Sequence, residues 1–466
     1  MPAGTPTLVS LPTLQLDLSL KLGVKEVVTL APESAKLEIP AKRPRYNISV
    51  HLDYAEHSVE VTETIEYPNI SSDTINALVL VVEPERLTEN FELSQLTWGD
   101  VDGEQIEDYQ IGDGLLQIPL NIPLAPGEKV TLFLAYTFTL PERAGPFGYT
   151  ERQAVFTNWY PFVPPYKDGE GWMVNPPGGV GEHLVYQTAD FTVEFSLNDD
   201  GLVLAGPAVP EVSNGSFTYV LEASRGFAWA VSPVYGILTS EIDGIPVFAY
   251  VFPEHRLAGQ AALNTAVQSL TLFQSLFGPY PYRSLSVVEI DFADGLEADG
   301  LFFLGNPFFE HYDGAPQNFI NILIPHETSH QWWYGLVGSD QAAEPWLDEA
   351  LATYCEFLFF EYNYPEQVDW WWEFRVDRHT QLWEMDGTIY DYNDFSIYIN
   401  SVYLKGAKFL HALRQEMGLE KFIEALREYA ERGQYRLMTG EDFFAVVAEY
   451  SPVDLNPLIE EYFPNR

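Results

Sequence analysis

The sequence predicts an α+β, multidomain protein: an N-terminal antiparallel β domain followed by a mostly helical domain. Three observations predict this. Apolar residues alternate with period two through the first half, helical spacing takes over near residue 256, and 466 residues suit two or three domains of about 100–200 residues each. With 46% hydrophobic and 20% charged residues, the composition is that of a globular chain with a sizeable core.

The strands come first. Val130, Leu132, Leu134, Tyr136, Phe138 and Leu140 alternate with Thr131, Phe133, Ala135, Thr137 and Thr139. Val59, Val61, Ile65 and Tyr67, then Phe191, Val193, Phe195 and Leu197, follow the same rule. Turns separate them at Ala125-Pro126-Gly127 and Asn198-Asp199-Asp200-Gly201, and Asn214-Gly215 reads as a hairpin. Leu257, Ala261, Leu263, Val267, Leu270, Leu272 and Leu276 fall near one helical face. Ser286–Asp291 reads as a strand, and helices follow to the end. Thr439 to Asp442 resembles a capping box, and Asn456-Pro457 reads as N-cap and first residue of the last helix. The expected divisions are 1–45, an extension with room for a first strand; 46–245, the β domain; and 246–466, the helical domain.

Lys and Arg total 24 against 68 Asp and Glu, a formal charge of −44. So negative a surface repels phosphate backbones and anionic lipid, which argues against nucleic acid as a partner. The one cysteine, Cys355, excludes an intrachain disulfide and a zinc site built on several thiolates. No apolar run reaches about 18 residues, so no membrane span is expected. The first residues lack the basic and apolar regions of a signal peptide. Residues 1–16, rich in Pro, Thr and Leu, read as a simple extension or as a spacer left by a trimmed leader. This leans the location towards extracytoplasmic.

The chemistry concentrates in His326-Glu327-Thr328-Ser329-His330. Residues four apart share a helix face, so both imidazoles can address one metal ion, with Glu327 beside them as a base for water. A hydrolytic zinc needs a third protein ligand. Glu349, nineteen residues after His330 in Trp346-Leu347-Asp348-Glu349-Ala350, supplies a carboxylate at the start of a second helix.

HExxH, eighteen residues and then Glu in a WLxE segment, with Gln331-Trp332 after the second histidine, resembles the zinc aminopeptidases of the aminopeptidase N and leukotriene-A hydrolase type, which are gluzincins. The resemblance implies a thermolysin-like catalytic domain. It also implies one Zn²⁺ on His326, His330 and Glu349, Glu327 as general base, and peptides with a free N-terminus as substrates. Tyr403-Leu404-Lys405-Gly406 matches a family segment whose tyrosine donates to the oxyanion, which implies that role for Tyr403. Tyr398 matches a second site tyrosine of some members. Glu356, two turns after Glu349, corresponds to a glutamate that bonds a ligand histidine; a solvated helix glutamate is the alternative.

The family's Gly-x-Met-Glu-Asn loop, whose glutamate grips the substrate amine, aligns with Asp294 to Ala298. Glu297 is then the anchor, with Asp294 and Asp299 as rivals. From the β domain, Gln153 or Glu151 is the candidate for the same amine. Departures from the family are the altered amine loop, Ala350 after the third ligand, and Pro325 before His326, which either starts or bends its helix. The chain ends without the family's C-terminal helical domain, as in a remote bacterial-type member, which implies a more open cleft. The reaction expected is hydrolysis of the bond next to the N-terminus. An endopeptidase on the same core and a non-enzymatic relative are the alternatives. Trp370-Trp371-Trp372 reads as packing near the site or as a substrate wall, and Cys355 as a small buried side chain.

Overall fold

The computed structural model describes residues 37–378 and 383–465. Most of the expected N-terminal extension, residues 1–36, lies outside the described residues, as does His379. The first strand is Arg45–Asp53.

The β-rich part is built on an eight-stranded sheet. Its strands run Glu211–Ser213, Ser216–Ser224, Ala189–Leu197, Arg45–Asp53, Ser58–Pro68, Lys129–Thr139, Glu92–Trp98 and Glu104–Gln105 in spatial order. Alternation decides which face is buried: Leu132, Leu134, Tyr136 and Phe138 point inward from Lys129–Thr139. The Asn214-Gly215 hairpin forms with φ of 52° and 87°, the left-handed pair that a two-residue turn requires. One feature departs from the antiparallel expectation. Arg45–Asp53 pairs in parallel with Ala189–Leu197, because the chain returns to its first strand only after a long excursion.

A five-stranded sheet links this part to the helices, in the order Gly236–Ile242, Ile245–Val251, Leu285–Ile290, Leu301–Gly305 and Gly295–Ala298. Its first hairpin straddles residue 245. Helix α1, Arg256–Phe277, packs on this sheet and beside helix α2, Ile320–Ser329, which in turn packs on helix α3, Trp346–Asn363. The buried stripe of α1 runs through Ala258, Ala262, Leu263, Ala266, Leu270, Phe273 and Phe277. It is rotated from the expected one, and Leu257 is 84% exposed. Small residues decide the rotation, since the helix approaches so closely that a Cβ at Gly259 would lie 2.8 Å from Val251.

Pro325 lies inside α2, not at its start, and takes one backbone donor out of the helix ladder. The Thr439–Asp442 capping box is present. The last helix begins one residue earlier than expected: Leu455 is its N-cap, Asn456 is the first helical residue, and Asp454 accepts the Asn456 N–H. No helix among the described residues is long and apolar enough to cross a membrane.

Arg225 ties the two parts together. Only 3% exposed, its guanidinium donates to the backbone carbonyls of Tyr186, Tyr334, Gly335, Leu336 and Arg436. Gly338 leaves it room, since a Cβ there would lie 2.3 Å from the guanidinium carbon.

Candidate active site

Helix α2 carries His326 and Glu327, and His330 caps its C-terminal end in helical conformation. The 3.6-residue repeat brings both imidazoles to one side, with ring centroids 4.9 Å apart. Glu349, in the first turn of α3, points its carboxylate between them. Oε2 lies 3.2 Å from Nε2 of His326 and 3.7 Å from Nε2 of His330. One ligating atom from each of the three residues falls within 4.8 Å of the others.

The other nitrogen of each ring is already committed. Nδ1 of His326 lies 3.0 Å from Oε1 of Glu356, and Nδ1 of His330 lies 3.0 Å from the Trp333 carbonyl. Both partners are acceptors, so each Nδ1 carries a proton, and each Nε2 faces Glu349. Two imidazoles and a carboxylate, buried and convergent, are a donor set that fits a divalent cation of the zinc kind.

Glu356 is fully buried and is held on every side. Besides His326, it accepts from Trp371 Nε1 at 3.1 Å and from Arg375 at 2.9 Å on each oxygen. Desolvation alone would raise its carboxyl, but Arg375 and His326 hold it below the ordinary range. Arg375 rides on a π-helical turn, Trp372–Asp377. In a chain this poor in cations, its burial is the signal that sequence reading missed. Trp371 supplies a hydrogen bond and packing, not a cleft wall.

Glu327 is 4% exposed, and its Oε2 has no hydrogen-bond partner. Burial raises its carboxyl, with Glu297, Glu349 and Asp294 adding to the rise and His326 opposing it. A second π-helical turn, Ile399–Leu404, presents Tyr403. The Tyr403 ring lies parallel to that of His326 at 5.8 Å, and its hydroxyl bonds Glu349. Burial and Glu349 keep this phenol well above its usual range, so it stays protonated. Tyr398 is buried edge-on to Tyr403, with centroids 5.7 Å apart.

His326, Glu327, His330, Glu349 and Tyr403 line a cleft of about 180 Å³, with Asp294, Gly295, Glu297, Phe308 and Phe395 on its walls, whereas Tyr398 stands behind Tyr403 and is not part of that lining. Glu297, on strand Gly295–Ala298, brings a carboxylate oxygen within 4.8 Å of Glu327 and of a His330 ring nitrogen. Asp294 also faces the cleft, whereas Asp299 is spent elsewhere. Asp299 is buried and accepts from Tyr282 and from the N–H groups of Arg225 and Gly226.

Gln153 is buried, and its Oε1 accepts from Tyr235 at 3.0 Å, while Glu151 is exposed. The β-domain residue that meets Glu297 is Glu182, which sequence reading did not single out. Burial and Glu297 push its carboxyl up. The Cys355 thiol is buried and pushed up to about 12, which suits packing and not nucleophilic attack.

A peptidase family M1 domain model matches residues 261–462. The chain is 28% identical over 288 residues to Aminopeptidase M1-B of Oryza sativa subsp. japonica, a match covering 56% of this chain and 33% of that protein. It is 26% identical over 301 residues to Aminopeptidase M1 of Arabidopsis thaliana, covering 59% and 34%. With Aminopeptidase N of Lactobacillus helveticus the identity is 23%, over 61% of this chain and 36% of that one. These matches span about a third of the length of the curated relatives. The crystal structure of a point mutant of an M1 zinc metallopeptidase from Deinococcus radiodurans shares the fold, with a TM-score of 0.65 at 18% identity. The likeness covers 91% of this chain and 94% of that one. The HExxH–Glu constellation lies inside the stretch that the M1 domain model matches, and there the chain is similar to the aminopeptidase N-type gluzincins.

Proposed function

We propose that this protein removes N-terminal residues from peptides by zinc-dependent hydrolysis. The family implies zinc, and His326, His330 and Glu349 would hold one ion. When bound, zinc supplies a Lewis acid that polarises the scissile carbonyl and makes water acidic near neutral pH.

The chain's own residues do the rest. The Glu327 carboxylate takes the proton of the attacking water and hands it to the leaving amine. Tyr403 keeps its proton and donates a hydrogen bond to the developing oxyanion. Glu356 fixes the His326 ring so that Nε2 faces the metal. Glu297 receives the substrate ammonium, and Tyr398 backs Tyr403.

The observation that carries the reading is the proximity of Glu297 to Glu327 and His330, all within 4.8 Å. An ammonium held at Glu297 sits beside the base, so the first peptide bond is the one within reach. The test compares an aminoacyl fluorogenic amide with its N-acetylated twin, using zinc-loaded wild type and Glu327→Gln. Wild type should cleave only the free-amine form. The variant should keep its zinc and lose on the order of 10²–10⁴ in turnover. Equal cleavage of both substrates would make the enzyme an endopeptidase, and retained turnover in the variant would remove Glu327 as base.

A further inference from the structure

One face of helix α2 lines the cleft along its length. Phe319, which caps the N-terminus of α2, is followed at helical spacing by Leu323, Glu327 and His330. The strand Gly295–Ala298, outermost in its sheet, lies against this helix. Two acids of the strand and its approach face different parts of the cleft. Glu297 meets Glu327 and His330. Asp294, just before the strand, lies towards the other end, and the charged groups that act on it are Glu349, His326 and Arg375. A substrate with its ammonium at Glu297 and its first carbonyl beside Glu327 therefore continues past His326, towards Asp294, Phe308, Phe319 and Phe395.

That end of the cleft joins a carboxylate to open aromatic faces. Phe319 and Phe395 are 44% and 51% exposed. The ring centroid of Phe308 lies 5.4 Å from that of Phe319, which lies 5.8 Å from that of Phe374. The row already carries one guanidinium, since Arg378 stands over Phe374 at 4.7 Å from the ring centroid. Asp294 is exposed at the mouth. Its Oδ1 accepts the Gly295 N–H at 3.0 Å, and its Oδ2 has no hydrogen-bond partner among the described residues. Arg375, which also lines the cleft, gives Nε and Nη2 to Glu356. Asp294 thus makes no ion pair among the described residues. A free carboxylate beside aromatic faces complements a guanidinium, which pairs through its N–H groups and stacks through its plane.

We infer that Asp294, with Phe308 and Phe319, selects a cationic side chain, arginine above all, on the residue that follows the bond cut. The inference rests on the aminopeptidase reading and goes beyond it: that reading concerns the residue removed, and this one the residue left at the new N-terminus. Asp294 is a position at which the chain departs from the family loop it resembles, so the preference belongs to this chain. A glutamate in the same place meets like charge and is disfavoured.

The experiment uses zinc-loaded full-length protein and peptides that differ only in their second residue: arginine, its uncharged isostere citrulline, or glutamate. Release of the first residue is followed by mass spectrometry. kcat/KM is compared for wild type, Asp294→Asn and Phe319→Ala, each with zinc content recorded. Wild type should favour arginine over citrulline roughly tenfold, with glutamate the poorest. Asp294→Asn keeps an acceptor for the Gly295 N–H and should bring the arginine-to-citrulline ratio to about one. Phe319→Ala should lower kcat/KM for arginine and citrulline together, since both present the same flat group; unchanged values would remove Phe319 from the inference. An arginine-to-citrulline ratio of about one in wild type, with the first residue still released, overturns the inference and leaves the aminopeptidase reading intact. A ratio that survives in Asp294→Asn assigns the preference to the acidic surface at large and overturns the role of Asp294. Equal losses for all three peptides in Asp294→Asn would make Asp294 an ammonium anchor and overturn it too. No release of a first residue from any peptide overturns both readings.

Discussion

A Cβ at residue 295 would lie 2.0 Å from Oε1 of Glu327, so the carboxylate occupies space that only a glycine leaves open. With Glu327 as the proposed base, Gly295 is the residue that makes room for it. Gly295→Ala is expected to push the carboxylate off its position. Turnover should fall by about 10²-fold while zinc content stays at the wild-type level, because Glu327 is not among the three proposed ligands. Metal analysis alongside kcat checks this, and an unchanged kcat would mean that the base does not work from the position seen here.

Tyr403→Phe removes one hydrogen-bond donor and leaves the ring against His326. Loss of a single oxyanion donor costs roughly 10²–10³ in kcat. The expected result is a fall of that size at nearly unchanged KM and zinc content. A normal rate would assign the oxyanion to another donor.

Glu356 and Arg375 give separable outcomes. Glu356→Gln frees the His326 ring and should weaken zinc binding by roughly 10–100-fold, read by competition with a chelator. Arg375→Met leaves the Glu356 charge buried without its partner, and should cost about 3–5 kcal/mol in a urea titration. Equal stability of Arg375→Met and wild type would show that the pair contributes nothing net.

A pH dependence of stability follows from Glu289, which is distant from the metal ligands in sequence and faces His255, Tyr235, Arg152 and the Phe252 N–H. Burial raises its carboxyl from 4.5 to about 7, against the pull of His255 and Arg152. The folded state therefore holds a proton that the unfolded state releases first. The associated stability is complete below about pH 4.5 and is lost as pH rises through about 7. Glu289→Gln lacks this term. The stability of wild type relative to the variant should fall by roughly 3 kcal/mol between pH 4 and pH 8. Parallel curves for the two proteins would place the Glu289 carboxyl near its ordinary range.

The sequence made legible what periodicity and spacing encode. Alternation located Ser58–Pro68, Lys129–Thr139 and Ala189–Leu197, and the four-residue interval set His326 and His330 on one side of a helix. Contacts between segments far apart in the chain were not legible. Glu182 and Gln341 are separated by 159 residues and meet only because Gly178 and Gly181 let one loop press onto another. Gln153, one of two β-domain candidates for the amine, lies on the four-residue strand Gln153–Phe156, whose side chains are all buried, and Tyr235 donates to its amide oxygen. On α1 the expected Leu263, Leu270 and Leu272 are buried, but Ala258, Gly259, Ala262 and Ala266 share that face, and Leu257 does not.

The fan of hydrogen bonds from Arg225 has a consequence for dissection of the chain. Three of the five carbonyls it holds, at Tyr334, Gly335 and Leu336, belong to the turn that begins four residues after His330. The family-matching stretch, residues 261–462, contains that turn but not the arginine. A fragment cut to that stretch would keep every proposed zinc ligand and forfeit the buttress that sets the path away from one of them. The β-rich part is therefore not a detachable accessory, and the smallest working unit of this protein is larger than its catalytic signature.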